Sequence, residues 1–356
     1  MGDRLVRLAE IEFDRPQHLE ARRPPEADGR ARDDVRLLVT ASGEHRHLAF
    51  RNLPEVLERG DLLVVNRSAT IPASLPARGG FGSFRVNLCT DYQNGVWLAE
   101  PRRSFADPGP LPLALGDGLT VGGRPATVLG TYPGLPRLVF LEFGLGGPPV
   151  IGPLAEPIRY GYLDGPYPIA DFQTIFGDVP GSVEMPSAAR PFSPRVLAAL
   201  RDGGVGLASI LLHTGVSSLE VETDPVEKIP MYPEPFEVGS DTVAAIERTR
   251  QRGHRVFAVG STVVRALEAS WTEGRLRSTR GFTRAFIHPG RGVHVVDGLL
   301  TGFHDPRTSH LAMLYSFLPA ETVRSAYAEA VARGYLWHEF GDSHLIVRDR
   351  ERAVAG

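Results

Sequence analysis

The sequence predicts an α/β main domain, with a mixed sheet and flanking helices, interrupted by an inserted small all-β domain of barrel-like build. Three observations predict it. Apolar strand segments alternate with helical ones before Asn66 and again after Pro166, the pattern of helices packed on a parallel or mixed sheet. Between them, from about Ala73 to Ile158, short β-type segments are separated by Gly and Pro clusters. The chain has 356 residues, 42% hydrophobic and 23% charged, enough to bury two cores.

The lead from Arg15 to Arg36 is polar and Arg-rich. Arg36-Leu-Leu-Val-Thr40 reads as a strand, Ser42-Gly43 as a turn, and Leu53–Arg59 as a helix. Leu62-Leu-Val-Val-Asn66 is a short unbroken apolar run, which suits a buried strand. The inserted region carries strands near Ser83–Thr90, Val96–Ala99, Leu119–Val121, Ala126–Leu129 and Arg137–Phe143. Gly79-Gly80, Gly116-Asp-Gly118 and Gly122-Gly123 punctuate them, as in a small antiparallel barrel or sandwich. The expected boundaries are therefore 1–72 and 159–356 for the α/β domain and 73–158 for the insertion.

After Pro166 come a helix at Pro194–Asp202, a strand at Val205–His213 and a helix capped by Asp241 that stops at Gly253. A strand at Arg255–Val259 leads into a helix at Ser261–Trp271. Helices at Ser309–Phe317 and Ala320–Arg333 precede a last strand near Leu345–Arg348, with a frayed tail to Gly356.

Composition narrows the functional classes. A net charge of −3 gives no global positive field, so RNA contact must come from a local cluster. Arg22, Arg23, Arg30, Arg32 and Arg36 are the candidate run, with a solvated surface as the alternative. The single Cys89 excludes a disulfide framework and a Cys-based metal site. Met1 to Arg23 has no apolar signal core, and no apolar run reaches the ~18 residues of a membrane span, so a cytoplasmic protein is expected.

Four polar constellations fall at strand ends and turns. Val259-Gly-Ser-Thr-Val-Val-Arg265-Ala-Leu-Glu268 runs from a strand through Gly260 into a helix whose first N–H groups suit a carboxylate or phosphate; an ordinary capped turn is the alternative. Arg265 and Glu268 share a helix face and are spaced to pair. Phe286-Ile-His-Pro-Gly290 followed by Asp297, Thr301, His304 and Asp305 clusters imidazoles, a hydroxyl and carboxylates. Gly341-Asp342-Ser-His344 and His213-Thr-Gly-Val-Ser217-Ser218 complete the set. No HExxH, Walker or dinucleotide motif stands in context, and no metal site is expected.

Taken in order, Gly60-Asp-Leu-Leu-Val-Val-Asn66, Ile71-Pro-Ala73, Phe172-Gln-Thr-Ile-Phe176, Pro180-Gly-Ser-Val183, Val259–Glu268, Phe286–Gly290, Thr301, Phe303-His304 and Phe340-Gly-Asp342 resemble the S-adenosylmethionine:tRNA ribosyltransferase-isomerases of queuosine biosynthesis. The resemblance implies a two-domain transferase and isomerase that takes its ribosyl group from S-adenosylmethionine, without metal. Its usual acceptor is 7-aminomethyl-7-deazaguanine in tRNA, and its products are epoxyqueuosine, adenine and methionine. The sulfonium acidifies the adjacent C5′–H, so a general base can take that proton. On this reading His213, His304, Asp297 and Asp342 are the catalytic candidates. Ser261, Thr262, Arg265, Glu234, Thr301 and Asn66 are the substrate-binding candidates, with Ser261, Thr262 and Arg265 assigned to the donor's carboxylate.

The chain departs from the family pattern at several polar positions. Pro191 and Tyr232 stand where the family has histidines, and Arg190, Asp305 and His344 are new polar residues. Two alternatives stay open on this basis: a divergent paralogue that uses S-adenosylmethionine or a similar nucleoside in small-molecule (secondary) metabolism without tRNA, and a binding module that has lost turnover.

Overall fold

The computed structural model describes residues 5–107, 109, 111–144, 152–216, 221 and 223–348. The tail beyond 348, and Ser217 and Ser218, lie outside these residues.

Nine strands form the main sheet: β1 (Arg36–Ala41), β2 (Glu44–Ala49), β3 (Leu62–Asn66), β4 (Gly206–Leu212), β5 (Glu234–Val238), β6 (Val256–Val259), β7 (Thr279–Thr283), β8 (Gly298–Gly302) and β9 (Ser343–Val347). Their spatial order is β7-β5-β4-β3-β6-β8-β9-β1-β2. The central neighbours β4, β3, β6 and β8 are parallel, and β8–β9, β1–β2, β4–β5 and β5–β7 are antiparallel. The sheet is mixed, as expected.

Strands β3, β6 and β8 are largely apolar because both faces are covered. Leu63, Val65, Phe257 and Leu300 join Phe50, Phe192 and Val196 on one face. Leu62, Val64, Ala258 and Leu299 pack on the other face with Val263, Leu267 and Leu311. The alternation is the period of two that a strand imposes.

Five helices flank the sheet: α1 (Pro194–Asp202), α2 (Ser240–Gln251), α3 (Ser261–Ala269), α4 (Ser309–Leu314) and α5 (Ala320–Ala332). Ser193 caps α1, its hydroxyl accepting from the Val196 N–H, and Pro194 fills the first helical position. Two expectations need correction. Phe50–Glu55 forms a 3-10 turn in place of a helix near Leu53–Arg59, because Pro54 removes a backbone donor. Gly239 is the N-cap of α2, and Asp241 sits inside its first turn, where its charge favours the helix dipole.

Six further strands, running between Ser74 and Phe143, close into an antiparallel barrel. The bridge between Ser74 and Glu156 draws its entry and exit chains together. The Tyr132 hydroxyl ties it to the main sheet's surroundings by donating to the Met231 carbonyl at 3.1 Å.

Gly298 sits where β8 is pressed between its neighbours: a Cβ there would lie 2.5 Å from the Phe257 ring and 2.6 Å from the Ile346 carbonyl oxygen. Gly298→Ala is therefore expected to lower unfolding stability by about 1–3 kcal/mol, read from denaturant midpoints. An unchanged midpoint would contradict this packing.

Candidate active site

Parallel strands align their carboxyl ends, and α/β sheets bind ligands along that edge. Here the ends of β6 and β8 open on a cavity of about 340 Å³. Gly260 leaves β6 with a φ of 94°, a conformation glycine adopts without strain, and turns the chain into α3. No side chain caps α3, so Ser261 and Thr262 present an uncapped helix start to the cleft. Across from it, β8 ends at Thr301 and Gly302, and His304 follows on the lining.

His304 is held at three points. Its backbone N–H donates to the Tyr327 hydroxyl at 3.2 Å, its carbonyl accepts from Trp337 Nε1 at 3.0 Å, and its Nε2 meets the Thr301 hydroxyl at 2.9 Å. The ring stacks on His310 with centroids 5.1 Å apart. Burial, followed by His310, His344 and His338, holds its pKa well below the ordinary histidine range. That shift favours the neutral imidazole, in which one ring nitrogen donates and the other accepts.

Other segments complete the wall. The short strand Val179–Ser182 pairs with Ser68–Thr70 and delivers Glu184 to the lining. Tyr160 and Tyr162 come from the chain returning out of the barrel, His338 and Glu339 from the loop before β9, and Arg15 from the N-terminal lead. Of the lining residues, only Ser261, Thr262, Thr301 and His304 belong to the expected site set. Glu184, Glu339, Tyr160, Tyr162, His310, His338 and Arg15 were not singled out from sequence. The one local signal was the pair of phenols in Tyr160-Gly-Tyr162, which a turn closed by the Leu163 N–H on the Tyr160 carbonyl brings face to face.

The remaining expected residues lie elsewhere. Asp297 stands at the opposite, amino end of β8, where its carboxylate accepts from the Val256 N–H at 2.8 Å. Asp342 is buried and its carboxylate is occupied: it accepts from the Arg36 N–H at 2.6 Å, the Arg36 guanidinium at 2.7 Å and the Leu336 N–H at 2.8 Å. It anchors the loop that carries His338 and Glu339 and does not reach the cavity itself. His213 meets the Ser68 hydroxyl at 2.7 Å, outside the lining. The Asn66 amide clasps β4, donating to the Leu212 carbonyl at 2.8 Å and accepting from its N–H at 3.1 Å, with Thr262 Oγ1 3.4 Å from Nδ2.

Arg265 and Glu234 form a buried ion pair beside a smaller adjoining pocket that shares His310. Arg265 Nε donates to the Ala285 carbonyl at 2.8 Å, while its buried Nη2 has no hydrogen-bond partner among the described residues. The expected Arg265–Glu268 pair is not formed. Glu268 instead receives the His294 and Val295 N–H groups at 2.8 and 3.0 Å.

The departures from the family pattern are mostly structural here. Arg190 is buried, donating to Glu26 at 3.0 Å and stacking over Phe340. The Tyr232 hydroxyl donates to the Val216 carbonyl at 2.5 Å, and His344 Nε2 meets Thr40 Oγ1 at 2.9 Å. Asp305 alone among the new polar residues lines the cavity. In the Arg-rich lead, Arg23 pairs with Asp28 and Asp164, Arg32 with Glu26, and Arg36 with Asp342.

Burial lowers the pKa of His310 to about 4 and of His344 to about 3, with Arg265 and His45 adding to the respective shifts. The unfolded chain takes up these protons near pH 6.5 and the folded one does not, so stability falls as pH drops below that value. Glu339, raised to about 7 by burial, works in the opposite sense. His344→Asn removes one proton from the difference, and the variant should lose less stability than the parent between pH 7 and pH 5. Parallel losses would show that His344 does not stay neutral in the fold. The effect is bounded by about 1.4 kcal/mol per pH unit.

Comparison with known proteins agrees with this architecture. The family model described as queuosine biosynthesis protein matches residues 8–346. A relative from Anaeromyxobacter sp. named S-adenosylmethionine:tRNA ribosyltransferase-isomerase is 35% identical over 357 residues, which cover 96% of this chain and 100% of the relative. One of the same name from Deinococcus radiodurans is 35% identical over 356 residues, covering 96% of this chain and 95% of the relative. The crystal structure of an S-adenosylmethionine tRNA ribosyltransferase from Thermotoga maritima superposes with a TM-score of 0.53 at 30% identity, over 95% of this chain and 100% of that one. No helix among the described residues is long and apolar enough to cross a membrane. With matches spanning both the sheet and the barrel, the chain belongs to the queuosine biosynthesis protein family and is an enzyme of its transferase–isomerase type.

Proposed function

We propose that the protein transfers and isomerises the ribosyl group of S-adenosylmethionine onto 7-aminomethyl-7-deazaguanine in tRNA. The observation that carries this reading is the pairing, in one cavity, of an uncapped helix start with a neutral, fixed imidazole. The first turn of α3, with the Ser261 and Thr262 hydroxyls, suits the donor's carboxylate. Arg265, on the same helix, is paired with Glu234 in the adjoining pocket.

His304 suits the general base. The sulfonium acidifies the neighbouring C5′–H, and a neutral imidazole can accept that proton at physiological pH. Its depressed pKa makes it a weaker base but keeps the lone pair available. Adenine leaves more readily when an acid protonates it. Methionine then departs as a neutral thioether. The losses at Pro191 and Tyr232 do not speak against this chemistry. Pro191 is off the cavity, and Tyr232 fills space between the barrel and β5 in the adjoining pocket.

The test is adenine release from S-adenosylmethionine with and without tRNA bearing the aminomethyl base. Release that requires the tRNA is expected; release without it would favour a small-molecule acceptor. His304→Ala should cut turnover by about 10²–10⁴-fold. Asp297→Asn, at the far end of β8, should retain turnover in the folded fraction, and equal losses in both variants would remove His304 from the base role.

A further inference from the structure

The last strand of the main sheet carries a row of charge and ring that the cavity chemistry does not use. β7 ends the sheet and pairs with β5 on one side only. Residues two apart on a strand share a face, about 6.5 Å from each other. Arg280, Phe282 and Arg284 therefore form one row, and all three are exposed, while Thr283 and Ala285 are buried. Phe282 is 45% exposed, so part of its ring is open to a ligand. Another part rests on Tyr92 of the barrel, with centroids 6.0 Å apart, and Tyr92 rests in turn on Phe140 at 6.0 Å. The Arg284 charge acts on the Tyr92 phenol, which places it beside the same buttress.

The charge here is one-signed. From Gly274 to Arg291 the chain has five arginines and no carboxylate, although the whole chain carries a net charge of −3. Two carboxylates from outside this stretch reach it: Glu273 pairs with Arg277, and Glu237 lies 3.7 Å from the largely exposed Arg280. Arg275 and Arg284 form no ion pair among the described residues. The Arg-rich lead differs, since Arg23, Arg32 and Arg36 are spent on carboxylates. Charge on a terminal strand also keeps it from pairing with other chains. That role accounts for the arginines but not for an exposed, buttressed phenylalanine set between two of them.

The row also points toward the cleft. β7 is antiparallel to β5, and β5 to β4, so β7 runs in the direction of β4, β3, β6 and β8. Its carboxyl end lies on the sheet edge where the cavity opens. From Arg284 the chain passes to Ala285 and Phe286, which line the side pocket with His310, and His310 also lines the main cavity.

We infer that the Arg280, Phe282 and Arg284 row is a docking face for unpaired RNA, the loop of the tRNA acceptor. This rests on the tRNA reading above. A base stacks on the open part of Phe282 and the flanking guanidiniums meet phosphates, the combination that holds single strands with little regard to sequence. The row holds nucleotides that flank the reacting base, which itself enters the cavity.

The experiment is fluorescence anisotropy of the full-length protein with labelled tRNA bearing the aminomethyl base, over a series of salt concentrations, beside steady-state turnover. The double variant Arg280→Gln/Arg284→Gln should weaken binding and reduce the slope of log Kd against log salt by roughly one to two. Phe282→Ala should raise Kd by about tenfold at every salt concentration and leave the slope unchanged. In both, KM for tRNA should rise with kcat retained, and unchanged thermal midpoints would show that they fold. Parent-like Kd and slope in both variants, with the parent binding and turning over tRNA, would overturn the docking face and leave the proposed function standing. A dimeric parent that Phe282→Ala makes monomeric, with tRNA affinity unchanged, would assign the strand to a second copy of the chain and overturn it too. A parent that neither binds nor turns over the tRNA would overturn both readings.

Discussion

Four parallel strands, β4, β3, β6 and β8, must end along one edge, and the chemistry of the cleft is placed relative to that edge. Parallel pairing gives each strand end a turn into the next element, and here two of those turns carry opposite polarity. The β6 turn starts α3 without a side-chain cap, while the β8 turn presents the His304 ring, held by the Thr301 hydroxyl. A helix start and an imidazole thus face one cavity without any long loop. The aromatic cluster of Phe303, Tyr327 and Trp337 fixes the β8 turn from behind, with Phe303 and Trp337 centroids 4.9 Å apart.

The second constraint is electrostatic. Burial lowers the pKa of His304 and His310, and the Arg265 charge in the side pocket is matched by Glu234. Separating a buried pair of this kind leaves an uncompensated charge, which is far more costly than removing both partners. The pair is better understood as holding α3 against β5 than as a free hand for substrate, except at the one unpartnered Nη2. Asp342 acts in a similar way on the other side. By gathering Arg36 and Leu336 it shapes the loop on which His338 and Glu339 are carried.

Much of the fold was legible in the sequence because strand and helix periodicity are local. Pro194–Asp202 forms a helix with the bounds its cap and glycines predict, and every strand segment expected in the inserted region belongs to the barrel. The site was legible only where one turn carries it, as at Gly260–Thr262 and Thr301–His304. Asp297 and His304 are close in sequence, yet a strand between them puts them at opposite ends of β8. Asp342 has the composition of a catalytic residue, but burial and four backbone or guanidinium donors make it structural. Apart from the Tyr160-Gly-Tyr162 spacing, the wall of Tyr160, Tyr162, Glu184 and Glu339 was not legible, because it is assembled from segments far apart in the chain.

The most direct test of the donor site is a crystal structure of the protein soaked with S-adenosylmethionine. Density is expected in the cavity at the ends of β6 and β8, with the methionine carboxylate on the first turn of α3 and the ribose beside His304. A nucleoside bound instead at the open surface of β7 near Arg280 and Arg284, or density that leaves the α3 terminus empty, would contradict the placement of the donor in this cleft.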